Sequence, residues 1–266
     1  MKLAFIGGGN MGGAIIKSIV DKKIALPDDI VVSDVDASKL KAIAKDLKVK
    51  TTRNNTEAVN DADVIMLAIK PQILSNVLEE LEGQISENQL VVSIIAGATI
   101  NTICNGLKHT AVVRMMPNTP AQMGEGMSVW TATAGVSAEQ KRLAEAILDT
   151  LGKQIYFEDE KYIDMATAVS GSGPAYIYLI IEALIDAAVH IGLPRQQAEE
   201  MILQTVLGSA LFLQKSGRHP AELRSMVTSP GGTTAEGLFK LEKGKLRATI
   251  TKAVMASYKK AKKLGS

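Results

Sequence analysis

Leu3-Ala4-Phe5-Ile6-Gly7-Gly8-Gly9-Asn10-Met11-Gly12 decides how the rest of the chain is read. Four apolar residues run into three glycines, and Met11–Val20 then repeats its apolar positions at helical spacing. Gly7, Gly9 and Gly12 fit G-x-G-x-x-G, and a strand before it with a helix after it is the context that pattern needs. Gly7 is expected to make the tight turn, Gly9 to admit a pyrophosphate, and Gly12 to let helix and strand pack closely. The stretch therefore reads as the first strand-turn-helix unit of a dinucleotide-binding domain.

Working outward, β-rich runs alternate with amphipathic segments up to about residue 158. Strands are expected at Lys2–Ile6, Ile30–Ser33, Val64–Ala68, Leu90–Ile95, Ala111–Met115, Met127–Thr131 and Gln154–Phe157. Helices are expected at Met11–Val20, Ser38–Leu47, Gln72–Leu81 and Ala138–Leu151. This alternation predicts a parallel sheet covered on both faces. After Glu158-Asp159-Glu160-Lys161 strand-like alternation stops and helical spacing takes over. The expected architecture is an α/β Rossmann-type domain over residues 1–158 and an all-α domain over 159–266.

The end of the second strand, Val31-Val32-Ser33-Asp34, leaves the cofactor open. Asp34 suits the ribose hydroxyls of NAD and repels the 2′-phosphate of NADP, whereas Ser33 with Lys39 nearby could accommodate that phosphate. Asp36 could instead cap the next helix. Leu67-Ala68-Ile69-Lys70-Pro71 and Ser93-Ile94-Ile95-Ala96-Gly97 close two further strands, where ligands of open parallel sheets bind. The alternative for Lys70 is a solvent-facing residue before a proline at a helix start, and the ligand-lining reading is favoured over it.

Composition narrows the remaining classes. A net charge of +2 over 266 residues gives no electrostatic case for nucleic acid or membrane partners. Cys104 is the sole cysteine, which rules out an intrachain disulfide and suits a reducing cytoplasm. Gly7 to Gly9 interrupt the first apolar run too early for a signal peptide. The apolar stretch from Ala175 to Leu193 carries Glu182 and Asp186 a turn apart, so it is expected as a buried helix rather than a membrane span. His109, His190 and His219 stand apart, and no metal-ligand spacing occurs.

A second glycine turn lies near the C-terminus, Thr228-Ser229-Pro230-Gly231-Gly232-Thr233-Thr234-Ala235-Glu236. Thr233 and Glu236 have capping-box spacing, and a helix start with free N–H groups attracts anions. Ser170-Gly171-Ser172-Gly173-Pro174 likewise opens a helix. Neither stretch supplies a strong base, a profile that suits a reaction in which the cofactor does the chemistry and the protein positions a small anion.

These motifs resemble the pyrroline-5-carboxylate reductases nearly end to end. The resemblance rests on Phe5 to Met11, Leu67 to Gln72, Met116-Pro117-Asn118-Thr119-Pro120, Ser170 to Tyr176, Gly192-Leu193-Pro194-Arg195, and His219-Pro220 with Val227 to Thr234. It implies reduction of 1-pyrroline-5-carboxylate to L-proline, the last step of proline biosynthesis, with NADPH or NADH. It implies a cofactor site at Ile6, Gly7, Gly8, Gly9, Asn10, Met11, Ser33, Asp34, Asn55, Ala68, Ile69, Lys70, Pro71, Ala96 and Gly97. Val227, Ser229, Gly231, Gly232, Thr233 and Thr234 are the implied substrate residues, and the Thr234 hydroxyl is the implied catalytic group at the ring nitrogen. It further implies a homodimer through the C-terminal helices, possible growth into a ring of dimers, and no metal. Asp34 departs from the phosphate-friendly residues common in that family.

Two other classes remain in view. A β-hydroxyacid dehydrogenase or related imine reductase shares the two-domain plan, but such dehydrogenases carry a lysine where this chain reads Tyr176-Ile177-Tyr178-Leu179-Ile180. A non-catalytic NAD(P) sensor has little use for a second anion turn.

Overall fold

The computed structural model describes residues 1–264; Gly265 and Ser266, at the end of the expected second domain, lie outside the described residues. The strands are β1 (Leu3–Ile6), β2 (Ile30–Ser33), β3 (Lys50–Thr52), β4 (Val64–Leu67), β5 (Leu90–Ser93), β6 (Val112–Met116), β7 (Gly126–Ala132) and β8 (Gly152–Tyr156). The helices among them are α1 (Asn10–Asp21), α2 (Ala37–Leu47), α3 (Asn55–Val59), α4 (Leu74–Leu81), α5 (Ile100–Leu107) and α6 (Ala138–Asp149). Then come α7 (Lys161–Ala166), a π-helical turn (Thr167–Gly171), α8 (Gly173–His190), α9 (Arg195–Ser216), α10 (Pro220–Met226), α11 (Thr233–Lys243) and α12 (Leu246–Leu264).

The sheet order is β3-β2-β1-β4-β5-β6-β7-β8. β1 sits between β2 and β4, both parallel to it, so the chain reverses direction across the sheet at β1. Each central strand is buried on both faces. Leu3 and Phe5 pack with Ile15, Ile16 and Ile19 of α1, while Ala4 and Ile6 pack with Leu67, Leu78 and Leu81. Successive side chains alternate across the sheet, which is why β1 needs apolar residues throughout.

Two features differ from the expected strands: one pairing is antiparallel, and one short strand is added. β7 runs antiparallel to β6, because the connection over residues 117–125 is too short for a crossover, which takes roughly a dozen residues or more. β3 is a short edge strand, Lys-Thr-Thr, whose exposed residues carry no apolar alternation to announce it.

The chain divides into two compact units: Met1–Ser172 together with the chain end from Ala256, and Gly173–Met255. In the first, α7 packs on β6 and β7. In the second, α8 and α9 pair as a helical hairpin. α8 corrects the expectation of a buried helix, since none of its residues is buried and Tyr178 and Leu179 are 59% and 65% exposed. Its apolar residues are spread around the helix rather than on one face, and α9 covers only part of that surface. Lys161–His190 is one helical run long and apolar enough, by length and composition alone, to cross a membrane. Asp186 is tied to Arg195 at 2.8 Å, an exposed pair that solvent screens and that adds little to stability.

Candidate active site

Gly7 has φ +107°, and a Cβ there would stand 2.5 Å from the Ala68 carbonyl oxygen. Only glycine fits a turn of that hand at that distance. The Gly7 N–H donates to the Ser33 carbonyl at 2.7 Å, tying the turn to β2. At Gly12 a Cβ would meet the Gly7 carbonyl oxygen at 2.6 Å, so α1 can approach β1 only with glycine here. Nothing lies within 4 Å of a Cβ position on Gly9, the N-cap of α1. α1 has no side-chain cap and no acidic residue in its first turn. Its first N–H groups and its dipole are therefore free for a phosphate.

At the end of β2 the side chains are interlocked. Asp34 accepts the Gly8 N–H on Oδ2 (2.8 Å) and the Asp36 N–H on Oδ1 (2.9 Å). The buried Ser33 hydroxyl donates to Asn55 Oδ1 at 2.7 Å, and Asn55 Nδ2 donates to Glu80 at 2.7 Å. Asp36 caps α2, accepting from the Ser38 hydroxyl and from the Ser38 and Lys39 N–H groups, and those bonds lower its pKa. Between α1 and the ends of β4, β5 and β6 lies a cavity of about 520 Å³, lined by Gly9, Asn10, Met11, Lys39, Ala68, Ile69, Lys70, Ile94, Met116 and Pro117. Lys70 is both exposed and a wall of this cleft. Pro71 follows it at the start of a 3-10 turn. Ala96 and Gly97 form the turn after β5. Gly97 has φ +78°, and a Cβ on it would stand 2.6 Å from the Leu264 Cβ.

The second glycine turn belongs to the other unit. Gly231 has φ +69°, and the Gly232 N–H closes the turn on the Ser229 carbonyl at 3.0 Å. The capping-box expectation is corrected here. Gly232 is the N-cap of α11, Thr233 is its first helical residue, and no side chain caps the helix. With the cap at 232, Ala235 rather than Glu236 occupies the third helical position, so the reciprocal pair cannot form. The correction leaves the opening N–H groups of α11 unclaimed by any side-chain cap. Val227 is 66% exposed after α10, and Thr234 is exposed.

Two of the three histidines are engaged in hydrogen bonds within the fold. His109 is buried with Nε2 2.9 Å from the Gln89 carbonyl oxygen, and His219 caps α10 by accepting the Ala221 N–H on Nδ1. Burial, and secondarily the charge of Glu160, push the Cys104 thiol up, away from the reactive thiolate. Among the described residues no group of three His, Cys, Asp or Glu is placed to hold a metal ion.

Two residues to which the sequence reading gave no role prove central. Arg114 in β6 is 1% exposed, with its guanidinium 2.7 Å from Glu160 and 2.8 Å from Asp164. Asn118, just beyond β6, donates from Nδ2 to the Ser170 carbonyl (3.0 Å) and accepts the Met127 N–H (2.9 Å). A charged residue inside the apolar run Val-Val-Arg-Met-Met was the available signal for the first. For the second it was Pro174, which denies an amide to a helical carbonyl.

The chain resembles known proteins along its whole length. A family model described as pyrroline-5-carboxylate reductase dimerisation matches residues 160–264, and one described as NADP oxidoreductase, coenzyme F420-dependent, matches residues 2–97. The pyrroline-5-carboxylate reductase of Synechocystis is 41% identical, over 100% of this chain and 98% of that one. The crystal structure of Plasmodium falciparum pyrroline carboxylate reductase with NADP bound is 34% identical. It superposes with a TM-score of 0.92 over 100% of this chain and 98% of that one. A 3-hydroxyisobutyrate dehydrogenase from Mycobacterium tuberculosis, 16% identical with a TM-score of 0.52 over 82% of this chain and 72% of that one, shares the fold alone.

Proposed function

The chain belongs to the pyrroline-5-carboxylate reductase family, and from that premise we infer that it reduces 1-pyrroline-5-carboxylate to L-proline with NADPH or NADH. The observation that carries this reading is full-length similarity to enzymes of that name together with two glycine turns, each opening a helix free of side-chain caps. The chain's own residues fit a dinucleotide, because Gly9 opens onto unfilled space and α1 offers uncapped N–H groups beside the cleft. A hydride is what the reduced nicotinamide supplies when bound.

We assign the pyrophosphate to Gly7 through Met11, with Ile6 beneath them, and the nicotinamide wall to Ala68, Ile69, Lys70, Pro71, Ala96 and Gly97. Ser33, Asp34 and Asn55 take the adenosine end. The substrate carboxylate is held by the N–H groups of Gly232, Thr233 and Thr234, flanked by Val227, Ser229 and Gly231. Thr234 then directs its hydroxyl at the ring nitrogen, which gains electron density as the imine carbon is reduced. A protonated imine is already a good electrophile, so no histidine is required. We propose that residues 1–158 serve NAD(P) and 159–266 serve substrate and dimerisation, a reading supported by the dimerisation family match over residues 160–264, although the compact units divide later, between Ser172 and Gly173.

Oligomer formation follows from the dimerisation family. We propose that a second copy covers the exposed apolar residues of α8 and α9, and that such dimers assemble into a ring. A bilayer is a poor alternative for α8, since Glu182 and Asp186 at its centre would each cost about 2.5–3.5 kcal/mol. Neither nucleic acid nor membrane is a proposed partner, and a lone free thiol suits the cytoplasm.

The direct test follows NADH and NADPH oxidation with 1-pyrroline-5-carboxylate; no turnover with either cofactor would sink the function. Asp34 sets the preference between them. With the Ser33 hydroxyl committed to Asn55, the anionic Asp34 discriminates against a 2′-phosphate. Asp34→Asn removes the charge and keeps one acceptor oxygen, for the Gly8 N–H, at the loss of the bond from the Asp36 N–H. It is expected to move the NADPH:NADH ratio of kcat/KM about tenfold towards NADPH, roughly 1.4 kcal/mol. An unchanged ratio would show that the charge plays no part.

A further inference from the structure

Asn118 lies between two parts of the first unit that must keep register. It lies two residues beyond the end of β6, where Met116 and Pro117 line the cofactor cleft. Met116 packs with Val129 of β7 and Ile163 of α7. Its Cγ lies 3.7 Å from where a Cβ on Gly171 would stand. The Ser170-Gly171 backbone therefore rests against the wall of that cleft.

Ser170 has a particular problem. In an α-helix its carbonyl would accept the N–H of residue 174, but residue 174 is proline and has none. The chain widens instead into a π-turn over Thr167–Gly171, in which the Ser172 N–H reaches back to the Thr167 carbonyl at 2.8 Å. π-turns of this kind recur at functional sites. The Ser170 carbonyl takes its donor from outside the helix, the Asn118 Nδ2 at 3.0 Å. Asn118 is 9% exposed and uses both ends of its amide, since Oδ1 accepts the Met127 N–H of β7 at 2.9 Å. Its orientation is thereby fixed.

We propose that Asn118 is a positioning residue for the reduction. By supplying the donor that Pro174 lacks, it selects the π-turn over an α-turn and holds the Ser170–Ser172 small-residue turn beside the nicotinamide wall. The proposal rests on the assignment of that cleft to the reduced dinucleotide. Asn118 does not touch the reacting atoms; it acts through the backbone it holds.

The test compares Asn118→Ala, Asn118→Asp, Pro174→Ala and the double variant Asn118→Ala/Pro174→Ala with wild type. Readouts are Tm, NADPH Kd by fluorescence titration, and kcat and KM for 1-pyrroline-5-carboxylate. Asn118→Ala is expected to lower kcat at least tenfold, with Kd and KM within threefold. Asn118→Asp, which keeps the bond to Met127 but turns an acceptor on the Ser170 carbonyl, is expected to lower it as much. In the double variant a new amide at position 174 satisfies the carbonyl through an α-turn, so Tm returns while kcat does not. Recovery of kcat together with Tm would reduce Asn118 to a filler of an unmet hydrogen bond and overturn the proposal, as would wild-type kcat in either single variant at 118. Should Asn118→Ala not fold, Asn118→Asp carries the same decision. Wild-type enzyme inactive on this substrate would instead overturn the functional assignment, and the same assay reads that separately.

Discussion

Thr234→Ala is expected to lower kcat for 1-pyrroline-5-carboxylate by about 10²–10³-fold, the usual loss when one preorganised donor at a reacting group is removed. Thr234 is the second helical residue of α11, and among the described residues its hydroxyl has no partner within the chain. The side chain is exposed, so its truncation should change stability by no more than about 0.5 kcal/mol. The backbone N–H groups proposed to hold the carboxylate survive the substitution. The loss should therefore fall on kcat, with KM nearly unchanged and cofactor Kd untouched. Thr234→Ser keeps the hydroxyl and should recover most of the activity. A large loss of cofactor affinity in Thr234→Ala would contradict the role assigned to this residue.

Arg114→Ala is expected to destabilise the first unit by about 3–5 kcal/mol, the usual effect of removing one partner from a buried ion pair. The guanidinium is nearly inaccessible and answers two carboxylates, those of Glu160 and Asp164, on the segment that begins α7. Glu160 also accepts the Ile100 N–H at 2.7 Å, in the first turn of α5. Truncation would leave two carboxylates without their cation and a void beside β6. Against a total stability of about 5–15 kcal/mol, that loss is enough to unfold a measurable fraction of the protein. Denaturant melts would read it directly. The triple variant Arg114→Met/Glu160→Gln/Asp164→Asn removes the charges together and should recover most of the loss, because the penalty belongs to the uncompensated carboxylates. If Arg114→Ala melts like wild type, the triad is not what holds α7 to the sheet.

Much of the site is legible because its causes are local. Gly7 is required by its own backbone angle and a carbonyl one strand away, and β1 shows its burial in four consecutive apolar residues. The acidic end of β2 is equally plain, although its bonds to the glycine loop are not. Where the sequence reading went astray, a competing arrangement was locally as good. Thr233 and Gly232 are both acceptable helix caps, and the Ser229 turn decides for Gly232. α8 looks like a core helix because its composition is that of one, but within the chain α9 packs against only part of its surface.

The sequence by itself determined the strand-glycine-helix unit, the change to helices after residue 158, the second glycine turn and the family, each written in neighbouring residues whose spacing and sterics carry the information. Only the tertiary structure decided that β7 reverses, that Asp34 braces the glycine loop, that Arg114 answers Glu160 and Asp164, and that Asn118 serves the carbonyl which Pro174 leaves bare. Those partners lie 26 to 52 residues apart in the chain. A polar side chain shows what bond it needs, but which distant group meets it is set by how the elements pack, since hydrogen bonds act over about 3 Å and have no reach along the sequence.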